Sequence, residues 1–119
     1  MTGVSVPGLV LLNKPRGISS FQCLANVKRV INSRRVGHLG TIDPFATGLL
    51  GVVTQRYTRL ARVFSDLPKR YIATIRFGVE TDTLDTEGQV IQEQPIPSKK
   101  AIIIGLKKMI GSIQQRPPE

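Results

Sequence analysis

Apolar residues along the chain recur at two spacings, and Gly, Pro and Ser mark the breaks between them. Residues 8–13 (GLVLLN) are a short apolar run that ends at Lys14-Pro15-Arg16-Gly17, which reads as a buried strand followed by a turn. Ser19 or Ser20 then caps a helix reaching about Asn32. Phe21, Leu24, Val27, Val30 and Ile31 recur in it at helical spacing and form its expected core face. Residues 36–50 (VGHLGTIDPFATGLL) are too interrupted by Gly and Pro to be a helix or a strand interior, and they read as a shaped loop. Residues 49–53 are apolar and predict a strand. Residues 58–64 predict a short helix with Leu60, Ala61 and Phe64 inward.

The second half carries one clear alternation. In residues 69–77 (KRYIATIRF), Tyr71, Ala73, Ile75 and Phe77 fall on one side, and Arg70, Ile72, Thr74 and Arg76 on the other. That pattern predicts a strand. Residues 82–88 (DTLDTEG) are a polar turn, and residues 89–91 begin a return strand. Pro95 and Pro97 break the chain. Ser98 then caps a last helix from Lys99 to about Ile110, with Ile102, Leu106, Met109 and Ile110 inward and Gly105 a weak point. No internal repeat is present.

A chain of 119 residues is expected to form one domain with a modest core. No apolar run approaches the roughly 18 residues that span a bilayer. Residues 1–7 lack the basic-then-apolar layout of a secretory signal. The cytoplasm is the expected compartment, with no membrane partner. One cysteine, Cys23, excludes an intrachain disulfide framework and a cysteine-based zinc site, and it reads as a buried small apolar residue.

Charge changes the picture more. The net charge is +9, and residues 1–42 contain Lys14, Arg16, Lys28, Arg29, Arg34 and Arg35 with no acid. Residues 80–93 contain five acids and no base. A basic front half suits a polyanion, because each phosphate contact releases counterions. Aromatics are too few for a broad base-stacking platform. Arg34 and Arg35 follow the first helix, where they either complement its dipole or contact phosphate. Arg56, Arg59 and Arg62 are three apart, on one side of the short helix; they are a second candidate RNA contact or a solvated face.

The loop at residues 36–50 holds the candidate chemistry. It places the only His, His38, five residues before Asp43-Pro44, among Gly37, Gly40 and Gly48. A loop that uses several glycines to hold one carboxylate is usually shaping a site. For Asp43-Pro44 alone, a turn or a helix N-cap is the favoured reading. A glycosidase needs a spaced carboxylate pair, and no nucleophile-elbow serine supports a triad with His38. No Walker A or dinucleotide-binding glycine pattern occurs. His38 and Asp43 are too sparse for a metal site. The DTLDTEG turn matches a calcium loop poorly, since its acids stand at positions one, four and six. Asp side chains bonding to backbone amides are the better reading.

Four segments in order resemble the tRNA pseudouridine synthases of the TruB type. GLVLLNKPRGISSF resembles the family's opening strand, K-P-x-G turn and Ser-capped helix. VGHLGTIDPFATGLL resembles its catalytic G-H-x-G-x-L-D-P-x-A-T-G-x-L segment, with Ile42 in place of Leu. KRYIATIRFGVETDTLDTEG resembles its K-x-Y strand and T-D-T-x-D-x-x-G turn, and GSIQQRPPE its G-x-x-x-Q-x-P-P stretch. One departure follows Leu50, where Thr54-Gln55-Arg56-Tyr57-Thr58 replaces the usual G-E-A-T-K.

The resemblance implies an α+β fold, a mixed and mainly antiparallel sheet with flanking helices. It implies isomerisation of a uridine in the T-arm stem-loop of tRNA to pseudouridine, with no cofactor and no metal. Asp43 stands at the nucleophile position, attacking either base or sugar. The target base must flip out of its stack. His38 matches the loop His that helps hold the flipped conformation; its alternative is a structural hydrogen bonder. Tyr71 matches the tyrosine that stacks on the uracil; its alternative is a core tyrosine. Lys14 and Lys69 lie within matching motifs and either touch RNA or support the site.

The family's sequence continues beyond a P-P-x-[YF]-S-A segment into a second half that supplies an Arg to the catalytic Asp. Residues 1–119 are therefore expected to be the N-terminal portion of a catalytic domain, truncated before that half and before any RNA-binding domain. The alternative expectation is a non-catalytic relative that binds RNA or self-associates through an unfinished sheet edge.

Overall fold

The computed structural model describes residues 7–116. The chain forms two compact units, Met1–Tyr71 and Ile72–Glu119. Residues 1–6 of the N-terminal stretch without Lys or Arg, and the last three residues of the GSIQQRPPE motif, lie outside the described residues.

The first unit is built on a three-stranded antiparallel sheet. Strand β1 is Gly8–Lys14, β2 is Val36–His38 and β3 is Gly48–Thr54, in the spatial order β1-β3-β2. Gly8 of β1 lies opposite Thr54 and Lys14 opposite Gly48, while Val36 of β2 lies opposite Thr54 and His38 opposite Val52. The glycine-rich stretch is thus strand at both ends and irregular only over residues 39–47. Gly37 is accommodated within β2 because pairing with Val53 supplies the order that its own propensity lacks.

Helix α1 (Ser20–Val30) lies on one face of this sheet. Its entry is fixed by a capping box. Ser19 accepts the Gln22 N–H (3.1 Å), and the Gln22 side chain accepts the Ser19 N–H (2.7 Å). Cys23, Leu24 and Val27 pack against Leu50 and Val52 of β3, with Val10, Leu12, Ile18, Ile31 and Val36 around them. Each such side chain contributes about 1.5–3 kcal/mol when fully buried. The buried stripe is narrower than the expected core face. Phe21 and Val30 are 68% and 79% exposed, because a three-stranded sheet covers less of a helix than its apolar periodicity offers. Phe21 lies instead beneath the Lys28 ammonium, 5.9 Å from its ring centre. The helix also stops earlier than Asn32, which adopts φ +48°.

After β3 the chain enters a 3-10 helix, Gln55–Leu60, which runs on into α2 (Ala61–Ser65). This helical segment starts earlier than the predicted 58–64. Leu60 is exposed rather than inward, while Ala61 and Phe64 are half-buried.

Residues 69–77 form no strand. Their alternation is real, but a strand also needs a neighbour to pair with, and none of the described strands pairs with this segment. Tyr71, Ile72 and Ile75 are exposed accordingly.

In the second unit, β4 (Val79–Thr81) pairs antiparallel with β5 (Val90–Glu93). The turn between them is held by its acids. Asp85 accepts the Thr83 hydroxyl (2.6 Å) and the Glu87 N–H (2.8 Å), and Asp82 accepts the Gln89 N–H (2.8 Å). Helix α3 (Lys99–Lys107) is capped by Ser98 and ends before the expected Ile110. Leu106, Met109 and Ile110, expected inward, are exposed, and none of the described residues of this unit is buried. All described strand pairs are antiparallel, and with three helices the architecture is α+β.

Candidate active site

Asp43 is exposed and starts a tight turn in which the Ala46 N–H donates to the Asp43 C=O (3.0 Å). Among the described residues its carboxylate has no hydrogen-bond or ion-pair partner. The residues on either side of it are held firmly. Before it, the Ser20 hydroxyl donates to the Ile42 C=O and accepts the Ile42 N–H, both at 3.0 Å. After it, the Pro44 C=O accepts the Gly17 N–H (2.7 Å) and the Lys14 ammonium (3.2 Å).

These clamps come from buried groups. Ser20 is 1% exposed, and it stands on the apolar stripe of α1 at the spacing of Cys23, Leu24 and Val27. Lys14 is 0% exposed. Its ammonium also donates to the carbonyls of Pro15 (3.0 Å) and Ile18 (2.7 Å), so all three of its donors are used on backbone. It bundles the ends of the K-P-R-G turn with the Asp43 turn. Ser20 was missed as a site residue because it reads as a cap. The available signal was a hydroxyl placed on the core face of a helix.

The loop before Asp43 borders a groove of about 510 Å³. Leu39, Gly40, Thr41 and Ile42 form one wall, and Phe64, Leu67, Pro68, Lys69, Arg70 and Tyr71 another. Its floor is the sheet face opposite α1, with Leu9, Leu11 and Leu49. Leu39 folds onto this face over Gly51; a Cβ at Gly51 would stand 2.9 Å from the Leu39 Cδ1. Gly40 adopts φ +134°, a left-handed conformation that side chains oppose, which lets the loop turn here.

The structure thus brings Tyr71 and Lys69 to the same groove as the four residues linking His38 to Asp43. His38 and Asp43 stand at the two ends of that link and are not themselves in the lining. The His38 Nδ1 is buried with no hydrogen-bond partner among the described residues. Lys69 uses its ammonium on the carbonyls of Ser65 and Leu67, closing the end of α2. Lys14 lies under the loop, away from solvent. Arg70, which the sequence reading did not single out, lines the groove beside Tyr71.

The charge is as uneven as the shape. Residues 1–71 carry eleven Lys and Arg against two acids, Asp43 and Asp66, while residues 72–119 carry six of each sign. The whole net charge of +9 therefore belongs to the unit that holds the groove. Among the described residues no three His, Cys, Asp or Glu side chains are grouped to hold a metal ion, and no helix is long and apolar enough to cross a membrane.

Comparison with known proteins identifies the family. Residues 28–119 match the profile described as TruB family pseudouridylate synthase (N terminal domain). A tRNA pseudouridine synthase B of Borreliella burgdorferi (strain ZS7) is 44% identical over 112 residues, covering 93% of this chain and 40% of that protein. The tRNA pseudouridine synthase B of Treponema pallidum (strain Nichols) is 43% identical over 120 residues, covering all of this chain and 33% of that protein. That of Hydrogenovibrio crunogenus is 40% identical over 115 residues, covering 95% and 38%. The chain spans between a third and two-fifths of the length of these relatives. The chain belongs to the TruB family of pseudouridylate synthases.

Proposed function

We propose that this chain carries the catalytic loop of a cytoplasmic tRNA pseudouridine synthase, and that it acts on a uridine in the T-arm stem-loop. The observation that supports this reading is the placement of Asp43. Its carboxylate is exposed and unpartnered among the described residues, yet its backbone is clamped on both sides, and it follows directly on Ile42, which lines the groove holding Tyr71.

In this reading Asp43 is the nucleophile, attacking either the base or the sugar. The N1–C1′ glycosidic bond breaks, the uracil turns, a C5–C1′ bond forms, and the bond made to the Asp43 carboxylate is broken again. C5 loses its proton and N1 gains one, so the product is an isomer and no cofactor or metal is required. Tyr71 offers an exposed ring on which the flipped uracil stacks. His38 holds the flipped conformation from the far end of the loop. Lys14 and Lys69 act as supports rather than direct RNA contacts, because their ammonium groups are engaged by carbonyls.

The test is tritium release from C5-labelled uridine in a T-arm stem-loop, with this chain and with its Asp43→Ala variant. The same pair is measured in a chain extended to the length of the Borreliella relative. Release that vanishes on substitution supports the reading. Release that survives the substitution refutes the role of Asp43.

A second reading is favoured by the charge of residues 1–71 and by the single pairing of β1, which leaves one edge of that strand open among the described strands. It is a chain that binds RNA without turnover, or that self-associates through that edge. Salt-sensitive binding without tritium release, or concentration-dependent dimerisation without RNA affinity, would favour it.

A further inference from the structure

We propose that the end of the three-stranded sheet opposite the Asp43 loop is a docking surface for the phosphate backbone of an RNA stem, with Arg56 and Arg59 as its main contacts. This rests on the reading of the chain as a tRNA-modifying protein and extends it to a second place on the substrate. Strand register defines the two ends. Lys14 of β1 and Gly48 of β3 lie at the end from which the Asp43 loop leaves. Gly8, Val36 and Thr54 lie at the other. The seven residues of β3 separate these ends by about 20 Å at the usual strand rise.

Two basic segments meet at that far end, and they are tied together. Gln55 is a non-glycine residue at φ +52°, in the left-handed region. Its N–H donates to the Arg35 C=O (2.8 Å), its side-chain amide donates to the Ser33 hydroxyl (2.7 Å), and its C=O accepts the Thr58 hydroxyl (2.8 Å). The Arg35 N–H donates to the same Ser33 hydroxyl at 3.3 Å. Backbone strain that the surroundings over-determine is a mark of a functional position. Here it sets the direction in which the 3-10 helix leaves the sheet.

That helix makes the contact surface. A 3-10 helix has three residues per turn, so positions 56 and 59 are eclipsed. Arg56 and Arg59 line one depression with Tyr57, Leu60 and Pro7, and both are exposed. Neither guanidinium has an ion-pair partner among the described residues. Lys28 and Arg29 lie nearer the end of α1, where the helix dipole already accounts for them. Arg59 stands in the last turn of the 3-10 helix, but that helix runs on into α2, so neither Arg56 nor Arg59 is at the end of the helical segment. Two aligned guanidinium groups beside a phenol suit successive phosphates of a nucleic acid strand.

The distance gives the proposal its distinguishing test. A contact about 20 Å from the end of the sheet that carries the Asp43 loop lies beyond a hairpin cut to two or three stem base pairs and within the reach of a whole tRNA. Binding is measured by fluorescence anisotropy between 50 and 200 mM salt, using a short T-arm hairpin and a whole tRNA transcript. The Arg56→Gln/Arg59→Gln variant is expected to lower the slope of log K against log salt by about 1.5–2 on whole tRNA, and to leave it unchanged on the hairpin. Lys99→Gln/Lys100→Gln removes the same charge from the other unit and is expected to change neither. An unchanged slope on whole tRNA overturns the proposal alone, leaving the tRNA reading in place. An equal fall in the Lys variant also overturns it, since net charge then explains the effect. Failure of the parent chain to bind either RNA overturns both readings together.

Discussion

The hydroxyl of Ser20 and the backbone of Ile42 form a closed pair of hydrogen bonds, one donated in each direction at 3.0 Å. A side chain in the core of α1 thereby fixes the residue before Asp43. On the other side, Lys14 and Gly17 fix the carbonyl of the residue after it. The aspartate is left free in its side chain and constrained in its backbone. The loop is otherwise irregular, so these bonds replace the ladder or helix that would hold a regular element.

Replacing Ser20 with Ala should therefore loosen the loop. It leaves the N–H and C=O of Ile42 without their partner, at a cost of about 1–3 kcal/mol. Amide hydrogen exchange should quicken at Ile42 and Asp43 while the β1–β3 ladder stays protected. Equal acceleration across β1 and β3 would show that Ser20 serves the core as a whole and not the loop.

Lys14→Met keeps the stem of the side chain and removes the ammonium. Three carbonyls lose a donor, and relief of a buried charge offsets part of that loss, so the net destabilisation expected is about 1–3 kcal/mol. Denaturant midpoints of the two proteins measure it. A variant as stable as the parent would mean that the buried charge costs as much as its three bonds return.

How far the sequence exposes these features depends on how local their causes are. The Ser19–Gln22 capping box joins residues three positions apart and is legible from that short stretch alone. The acidic turn at 82–88 is equally local, and its Asp-to-amide bonding follows the expected form. The clamps on Asp43 join residues 22 and 30 positions apart, and no short-range pattern reveals them. Lys14 misleads because lysine is so rarely buried. Residues 69–77 mislead differently. Alternation reports that a segment has two faces, but not whether a neighbour exists to pair with it. In α1, likewise, periodicity marks Phe21 and Val30 as core, and only the width of the sheet shows that they are not.

Gly51 and Leu39 make a packing pair that can be tested by substitution and rescue. An Ala Cβ at position 51 would meet the Leu39 Cδ1 at 2.9 Å and its Cβ at 3.3 Å. Gly51→Ala should cost about 1–2 kcal/mol by overpacking and shift the resonances of residues 39–42. Adding Leu39→Ala should recover most of the loss, giving a coupling energy of about 1 kcal/mol in a double-mutant cycle. Strict additivity would mean that the two residues do not meet in solution.

The turn between β4 and β5 should carry a pH signature. The Thr83 hydroxyl, and after it the Glu87 N–H, hold the Asp85 carboxyl below its ordinary range. Such a group stabilises the folded form above the unfolded carboxylate pKa and loses that contribution as pH falls through the depressed folded value. The turn should therefore loosen with a midpoint below that of free aspartate. The Glu87 amide proton, followed by NMR from pH 6 downward, should shift upfield in a single step, with its midpoint below that of free aspartate, as its bond to Asp85 is lost. In an Asp85→Asn variant the step should be absent. A step of the same midpoint in that variant would assign the transition to another carboxyl group.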